Sequence, residues 1–256
     1  MNFIIKSLLN IIPRELLISV SILFRPFLDF FYRGSKFHDP INNKSYRKFL
    51  PYGYNNIRDN ALSPGSLSLE RHRLLWLYLQ NETQIFKKKF KVLHVAPEQA
   101  FYKKFIKLNN LDYVTFDMNS PIAKIKGDIC NLPFSENQFD FVLCNHVLEH
   151  VNDDIAAMLE LFRVLKKNGV AILQVPIDLT KNKTYEDSTI TDKKERKKAF
   201  GQYDHVRIYG KDYFERLEKS GFKVEKNFYS KNFSDEEIYK YGINKNEIIP
   251  ICRKLF

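Results

Sequence analysis

The sequence predicts an α/β fold class: a doubly wound, mostly parallel sheet with helices between its strands, preceded by a helical and irregular N-terminal extension. The apolar run Lys91–Ala96 ends in a turn, and a second apolar run ends about 20 residues later in Asp117. The segment Gly127–Ile129 and the apolar run Phe139–Leu143 follow in order. Apolar runs that alternate with helical segments are typical of parallel sheets built from strand–helix–strand units.

The first segment, residues 1–34, is apolar but interrupted by charges and prolines. Its longest uncharged stretch, Leu16–Phe24, is shorter than the roughly 20 residues that span a bilayer, and no signal-peptide cleavage pattern follows it. Short helices broken at Pro13 and Pro26 are expected, with an apolar face and basic ends. Peripheral contact with an anionic membrane and packing on the rest of the protein are both open.

The second segment, residues 35–85, begins with polar turn signals such as Asp39-Pro40 and Pro64-Gly65. These signals predict short hairpins or irregular coil. A helix is expected over Ser68–Leu79, capped by Ser66 or Ser68, because apolar residues recur on one face.

The third segment, residues 86–256, holds the sheet. Its central helix has apolar residues at three- and four-residue intervals and is expected to end at Gly169. The apolar run Val170–Val175 is typical of a strand buried on both faces. Phe222–Phe228 and Glu247–Cys252 are expected to form the closing pair of strands.

Composition narrows the classes of partner. The 256 residues carry a formal charge of +11, but the basic residues are scattered, which is typical of a solvated surface. No RNA-binding signature or zinc finger accompanies the charge, so no nucleic acid partner is expected. Cys130, Cys144 and Cys252 are far apart and odd in number, which predicts free thiols in a reducing, cytoplasmic setting and no cysteine metal site. Oligomeric state leaves no signal in the sequence.

The turn after the first strand of the sheet indicates the class of ligand. Asp117 occupies the position of the acid that accepts hydrogen bonds from ribose hydroxyls, so the ligand should carry a ribose. The turn has a proline and Glu98 where glycines would cradle a pyrophosphate, and this carboxylate would repel phosphates. S-adenosylmethionine (SAM) carries a sulfonium and an ammonium instead, which a carboxylate attracts.

From Lys91 to about Lys226 the chain resembles the class I SAM-dependent methyltransferases of the small-molecule type, a Rossmann-like family. The segments that carry the resemblance are Leu132-Pro133-Phe134, Phe139-Asp140, Val147-Leu148-Glu149-His150 and Arg163-Val164-Leu165-Lys166. The resemblance implies a last strand antiparallel to the others. It also implies methylation of a hydroxyl or amine on a small-molecule or glycan-like acceptor, with SAM as the cofactor.

The chain departs from the family pattern at two places. In the first motif, His94 replaces the usual acid, and Ala96, Glu98 and Ala100 replace glycines. This change keeps an alternative open, a catalytically degenerate SAM-binding or membrane-peripheral interaction protein on the same fold. The segment from Asp117 to Asp128 is too short for a helical crossover, so a short or absent third strand without its helix is expected.

The resemblance assigns several residues to the cofactor. They are Ala96, Glu98, Asp117, Asp128, Ile129 and Asn145. Asp117 would hold the ribose hydroxyls, Asp128 and the Ile129 backbone would hold the adenine, and Asn145 would face the methionine part.

The acceptor side is predicted from the helix before the sheet and from the loop after its fifth strand. Arg71 and His72, on a helix that covers the pocket in the family, are expected to bind substrate, with solvation or pairing to Glu70 as the alternative for these two residues and for Arg73. The long polar loop that follows the fifth strand ends in His205, Arg207 and Tyr209, all expected close to the acceptor.

The proton acceptor is predicted to be a histidine. Methyl transfer to a hydroxyl needs a base of near-neutral pKa, and His146 and His205 are the candidates. Pairing of Arg207 with Asp204 to fix the loop is the structural alternative for this region. No metal ligand set is predicted.

Overall fold

The computed structural model describes residues 25–53 and 57–256, and thirteen strands lie within them. The strands are β1 (Arg33–Asp39), β2 (Lys44–Tyr46), β3 (Leu50–Tyr52), β4 (Arg58–Leu62), β5 (Phe90–Val95), β6 (Leu111–Asp117), β7 (Ile125–Lys126), β8 (Phe139–Cys144), β9 (Leu165–Ile172), β10 (Tyr185–Glu186), β11 (Arg207–Ile208), β12 (Lys223–Asn227) and β13 (Ile249–Arg253). The first four form two antiparallel hairpins, as the turn signals predict.

Helices of the same described residues alternate with these strands. They are α1 (residues 25–31), α2 (Glu70–Glu82), α3 (Gln99–Phe105), α4 (Asp154–Val164), α5 (Lys193–Phe200), α6 (Tyr213–Lys219) and α7 (Asp235–Tyr241). In this part of the chain no helix is both long and apolar enough to cross a membrane. The predictions for residues 1–24 lie outside the described residues.

Seven strands make the central sheet, in the order β12-β13-β9-β8-β5-β6-β7. Strands β5 to β9 are mutually parallel, whereas β13 is antiparallel to both of its neighbours, β9 and β12. The α/β fold class and the antiparallel last strand are therefore confirmed. Strand β7 has only two residues and no helix precedes it after β6, because the connection is too short to cross over.

Helices cover both faces of the sheet. Apolar residues of α2 and α3 pack on one face with Val92 and Phe141, and those of α4 and α6 pack on the other face with Leu93 and Val142. Alternate residues of β5 and β8 thus enter opposite cores, as the twofold period of a strand requires. Both faces of the central strands are therefore buried, which leaves the carboxyl-end edge of the sheet to carry side chains.

Local details of two helices differ from the sequence expectation. Helix α2 is capped by neither predicted serine: its cap is Leu69, whose N–H donates to His72 Nδ1 at 3.1 Å. Helix α4 ends at Val164 rather than Gly169, because Leu165 already pairs with Phe139 in the sheet. Sheet pairing outweighs the helical periodicity there.

Arg73 ties the N-terminal extension to the sheet domain. It is fully buried and donates to the carbonyl oxygens of Ser68 at 2.6 Å, Ala61 at 3.0 Å and Tyr241 at 2.7 Å. The expectation of a solvated side chain, or of pairing with Glu70, is wrong for this residue, since Glu70 pairs with Arg58. The guanidinium instead satisfies carbonyl groups that burial would leave without donors.

Candidate active site

The carboxyl ends of β5 and β8 lie side by side at the centre of the sheet. Val95, the last residue of β5, pairs with Cys144, the last residue of β8. The chain turns away soon after each strand, with φ of 49° at Ala96 and 55° at His146. Neighbouring strands whose connections run in opposite directions open a crevice at this point, and such sheets bind ligands there.

Glu98 is the central charge of the first turn. Its carboxylate accepts hydrogen bonds from His94 Nε2 at 2.5 Å and from Asn145 Nδ2 at 3.1 Å. Burial opposes this charge, but the positive charge and hydrogen bond of His94 lower the pKa of Glu98 to about 2. Glu98 is therefore a largely buried carboxylate at neutral pH, and its partners come from both strands.

His72 reaches the same carboxylate from helix α2. Its Nε2 lies 3.9 Å from Glu98 Oε1, and its ring meets Phe101 edge to face. Burial, and then the charge of Arg71, lower the pKa of His72 well below its usual range, so the ring is neutral. This position corrects the prediction that His72 binds the acceptor: the side chain faces the first turn.

Asp117 and Asp128 stand at the end of β6 and just after β7, where a nucleoside was predicted. One oxygen of Asp117 accepts the backbone N–H groups of Asn119 at 2.7 Å and Ser120 at 2.6 Å. One oxygen of Asp128 accepts the N–H of Cys130 at 2.9 Å. The second oxygen of Asp117 has no hydrogen-bond partner within residues 25–53 and 57–256, so it remains available to a ligand hydroxyl.

The residues around the first turn fit SAM. Asn145 Oδ1 is buried and lacks a hydrogen-bond partner among the described residues, while the amide nitrogen of the same side chain contacts Glu98. A buried acceptor beside a carboxylate suits an ammonium donor such as that of the methionine part. The turn at Ala96 has the positive φ that glycine usually supplies, so its backbone path is kept without glycine.

His146 and Glu149 form a second acid–histidine pair after β8. His146 Nδ1 lies 3.2 Å from Glu149 Oε1, and the backbone N–H of His146 donates to Gln174 O at 2.7 Å. Burial raises the pKa of Glu149, but the hydrogen bond and charge of His146 outweigh it, and the pKa lies below its usual range. His146 Nε2 is buried and has no partner in the described part of the chain. A carboxylate that holds Nδ1–H leaves Nε2 as the basic nitrogen.

A cavity of about 1200 Å³ opens beside His146. Residues of the N-terminal extension, the loop after β9 and the C-terminal segment line it together. Its charged lining residues are Arg58, Asp59, Glu70, Arg71, Glu149, Asp178, Asp204, Asp235 and Glu247, and its aromatic ones are Phe37, Tyr52, Tyr203 and Tyr239. Arg58 is occupied by Glu70 at 2.7 Å, so the remaining charged wall is mostly acidic.

Arg71 is the predicted acceptor-side residue that the structure places on this cavity. Its Nε is buried and has no hydrogen-bond partner among the residues described. His205 lies one layer deeper: it is 6% exposed, and its ring packs edge to face on that of His150, with centroids 4.7 Å apart.

Arg207 and Tyr209 correct the prediction for the loop. Arg207 is 3% exposed and its guanidinium donates to Leu148 O at 2.8 Å, Asn152 O at 2.8 Å and the Glu186 carboxylate at 2.9 Å. Tyr209 is fully buried with its hydroxyl 2.7 Å from Asp154. Both side chains face the interior because β11 pairs with β10 and carries them under the turn after β8. The pairing of Arg207 with Asp204 is also wrong.

Glu149 belongs to one of the family-like segments but was not predicted as a site residue. Its contact with His146 has a local signal, because the two residues are only three apart: Glu149 lies in the 3-10 turn Leu148–His150 and His146 just before it. The cavity walls from β4 and from Glu247 have no such signal, because they come from distant parts of the chain.

Comparison with known proteins finds similarity to methyltransferases in the middle of the chain. A family model described as a methyltransferase domain matches residues 83–173. Over 58 residues the chain is 43% identical to a demethylmenaquinone methyltransferase of Staphylococcus saprophyticus. The aligned segment covers 23% of this chain and 24% of that protein. Over 52 residues it is 50% identical to an uncharacterized protein of Methanocaldococcus jannaschii, covering 20% and 23%. The matches thus span about a quarter of the length of these curated relatives.

The solved structure of the [4+2]-cyclase SpnF shares the fold. It superimposes with a TM-score of 0.50 at 15% sequence identity, over 74% of this chain and 84% of that chain. At this identity the similarity concerns the fold alone.

Proposed function

We propose that this chain, which belongs to the class I SAM-dependent methyltransferase family, transfers a methyl group from SAM to a hydroxyl or amine of a small-molecule or glycan-like acceptor. The observation that carries the proposal is the position of His146. It follows Asn145, which contacts the carboxylate of the first turn, and its own ring lines the large cavity with a buried basic nitrogen. A base thus stands between a cofactor site and a space for a second ligand.

On the cofactor side, Asp117 would hold the ribose hydroxyls with its open oxygen. Asp128 and the backbone at Ile129 would hold the adenine, and Glu98 with Asn145 would hold the ammonium of the methionine part, beside the backbone at Ala96. SAM, when bound, supplies a methyl group on a positively charged sulfur. The carboxylate of Glu98 favours that positive ligand and disfavours phosphates.

On the acceptor side, His146 would take the proton from the acceptor hydroxyl as the new bond forms. Glu149 acts as the positioning residue, because it holds Nδ1 and so fixes the tautomer and the direction of the ring. His205 is buried behind His150 and is the weaker candidate for the base.

The lining of the cavity supports a hydroxyl-rich or amine-bearing acceptor. Asp178, Asp204 and Glu247 offer carboxylate acceptors for hydroxyl or ammonium hydrogens, and Tyr203 and Tyr239 offer half-exposed ring faces. Carboxylates with aromatic rings suit a glycan-like molecule, whose hydroxyls donate while its C–H faces pack on the rings. An anionic acceptor is disfavoured, since acidic residues outnumber the arginines of the lining and Arg58 is already paired with Glu70.

The altered first motif favours one second candidate, a protein that binds SAM without turnover. Glu98 places a carboxylate where the family has glycine, and its two strong hydrogen bonds fix it in the crevice. In that case the chain would bind SAM but would not transfer its methyl group to an acceptor.

We propose the same three-part organisation as the sequence predicts, with residues 1–34 as a contact segment, 35–85 as an extension over the pocket and 86–256 as the methyltransferase domain. Phe27, Phe30 and Phe31 are more than half exposed on α1, with Arg25 and Arg33 beside them. Aromatic rings flanked by arginines suit peripheral contact with an anionic membrane. Partitioning onto anionic vesicles that persists after deletion of residues 1–34 would contradict this assignment.

The experiment for the main proposal has two steps. Calorimetric titration of the purified chain with SAM and with S-adenosylhomocysteine should show binding of both. Incubation with SAM and a panel of glycans, amines and hydroxylated metabolites should then give one acceptor that gains a methyl group by mass spectrometry. Binding without any methylated product supports the second candidate, and absence of binding contradicts both.

A further inference from the structure

We propose that Glu149, His150 and His205 form a binding site for one zinc ion at the wall of the large cavity. Each residue offers one ligand atom, and these three atoms lie within 4.8 Å of one another. Glu149 and His150 both line the cavity, whereas His205 is the third ligand and lies buried behind them.

Two of the three ligand groups are buried and unsatisfied. Glu149 Oε2 and His205 Nε2 have no hydrogen-bond partner in the described part of the chain, and the residues are only 2% and 6% exposed. Buried polar atoms are ordinarily satisfied, so two orphaned atoms in one small region need a common explanation. A shared cation satisfies both at once.

The groups behind the two histidines are arranged as supports for such an ion. His150 Nδ1 lies 3.2 Å from the backbone oxygen of Asp204 and 3.5 Å from its carboxylate, which leaves Nε2 for the ion. The ring of His205 hydrogen-bonds the backbone of Phe200, and its unpartnered nitrogen is Nε2. Metal-binding histidines commonly donate their other N–H to a carbonyl or carboxylate in this way.

Two imidazoles and one carboxylate are the ligand set of zinc sites that keep a position open. Ligands around a tetrahedral zinc ion lie about 3.3 Å apart, so the three ligand atoms must come closer when the ion binds, and the exposed side chain of His150 has the most room to shift. The next step rests on the proposed function. The acceptor oxygen would take the open position, and the zinc ion would lower the pKa of the acceptor hydroxyl. Glu149 would then bridge the ion and His146.

The experiment uses the full chain without a histidine tag, stripped with a chelator and titrated with zinc chloride by calorimetry. We expect one zinc ion per chain. His205→Gln and, separately, the exposed-site variant His150→Gln should each weaken binding about 100-fold or more, whereas His38→Gln, which removes a histidine of strand β1, should leave it unchanged. X-ray absorption of the zinc-loaded chain should show nitrogen and oxygen ligands without sulfur.

The proposal is overturned if the wild-type chain binds no zinc, or if both His150→Gln and His205→Gln bind it as tightly as wild type. His150→Gln keeps the test valid where the buried variant fails to fold, since its site is on the surface. Zinc binding requires neither SAM nor an acceptor. Failure here with intact methyl transfer would therefore remove the metal site alone, and zinc binding without methyl transfer would remove the proposed function alone.

Discussion

A histidine and a glutamate form a pair at the carboxyl end of β5 and another at the carboxyl end of β8. The pairs are His94 with Glu98 and His146 with Glu149, and they differ in how many of their polar atoms have partners. In the first pair both ring nitrogens are engaged, one with Glu98 and one with the Tyr113 hydroxyl at 2.8 Å. In the second, a ring nitrogen and a carboxylate oxygen have no partner among the described residues. The first pair is closed and sets a fixed charge, while the second is open to ligands.

The largest effect is expected where the open pair is broken. His146→Asn removes the imidazole, yet asparagine tolerates the positive φ of this position. Turnover of an identified acceptor should fall about 10²- to 10⁴-fold, the range of a lost general base, while the dissociation constant for SAM stays within about twofold. Steady-state kinetics and calorimetry check the two values. Unchanged turnover in the folded variant would move the base to His205.

The closed pair should appear in the pH dependence of stability. The pKa of Glu98 is lowered from 4.5 to about 2, so its contribution is complete above pH 4.5 and is lost as the pH falls towards 2. A shift of this size corresponds to on the order of 3 kcal/mol. Denaturant unfolding of wild type and Glu98→Gln between pH 7 and pH 3 should give curves that converge on acidification.

The exposed acid Glu236 supplies the control for that measurement. Glu236→Gln should follow the wild-type curve at every pH. A constant difference between wild type and Glu98→Gln would show that folding does not lower the pKa of Glu98.

The cofactor side can be weakened without touching either pair. Asp117→Ala removes the open carboxylate oxygen at the end of β6, and charge-assisted hydrogen bonds contribute about 1.5–3 kcal/mol, so SAM affinity should fall at least tenfold. Asp112→Ala on the same strand is the matched control, because that side chain is 66% exposed and its one ion pair within the described residues is with Lys91. Equal SAM affinity in both variants would contradict the ribose assignment.

The fold was predictable because near-continuous apolar runs that alternate with helical segments indicate a parallel sheet without any knowledge of the loops. The strand-end residues of the site, such as Asp117 and His146, were predictable for the same reason: the ends of parallel strands must meet at one edge. Arg207 and Tyr209 were not, because the direction of a loop side chain depends on the pairing of β10 with β11. No local pattern encodes that pairing.

The smallest expected effect separates two neighbours on α2 that face the two sides. Arg71 lines the cavity, whereas His72 faces Glu98. Arg71→Gln should raise the KM for the acceptor by up to about tenfold, the equivalent of one hydrogen bond of about 1.4 kcal/mol, and leave SAM affinity unchanged. His72→Gln retains an acceptor for the Leu69 N–H, since glutamine at this third helical position serves the same cap, so the helix start survives. That variant should leave the acceptor KM unchanged and alter SAM affinity instead. Identical kinetic changes in the two variants would mean that α2 does not divide the two sides, and that the closed and open pairs serve one continuous site.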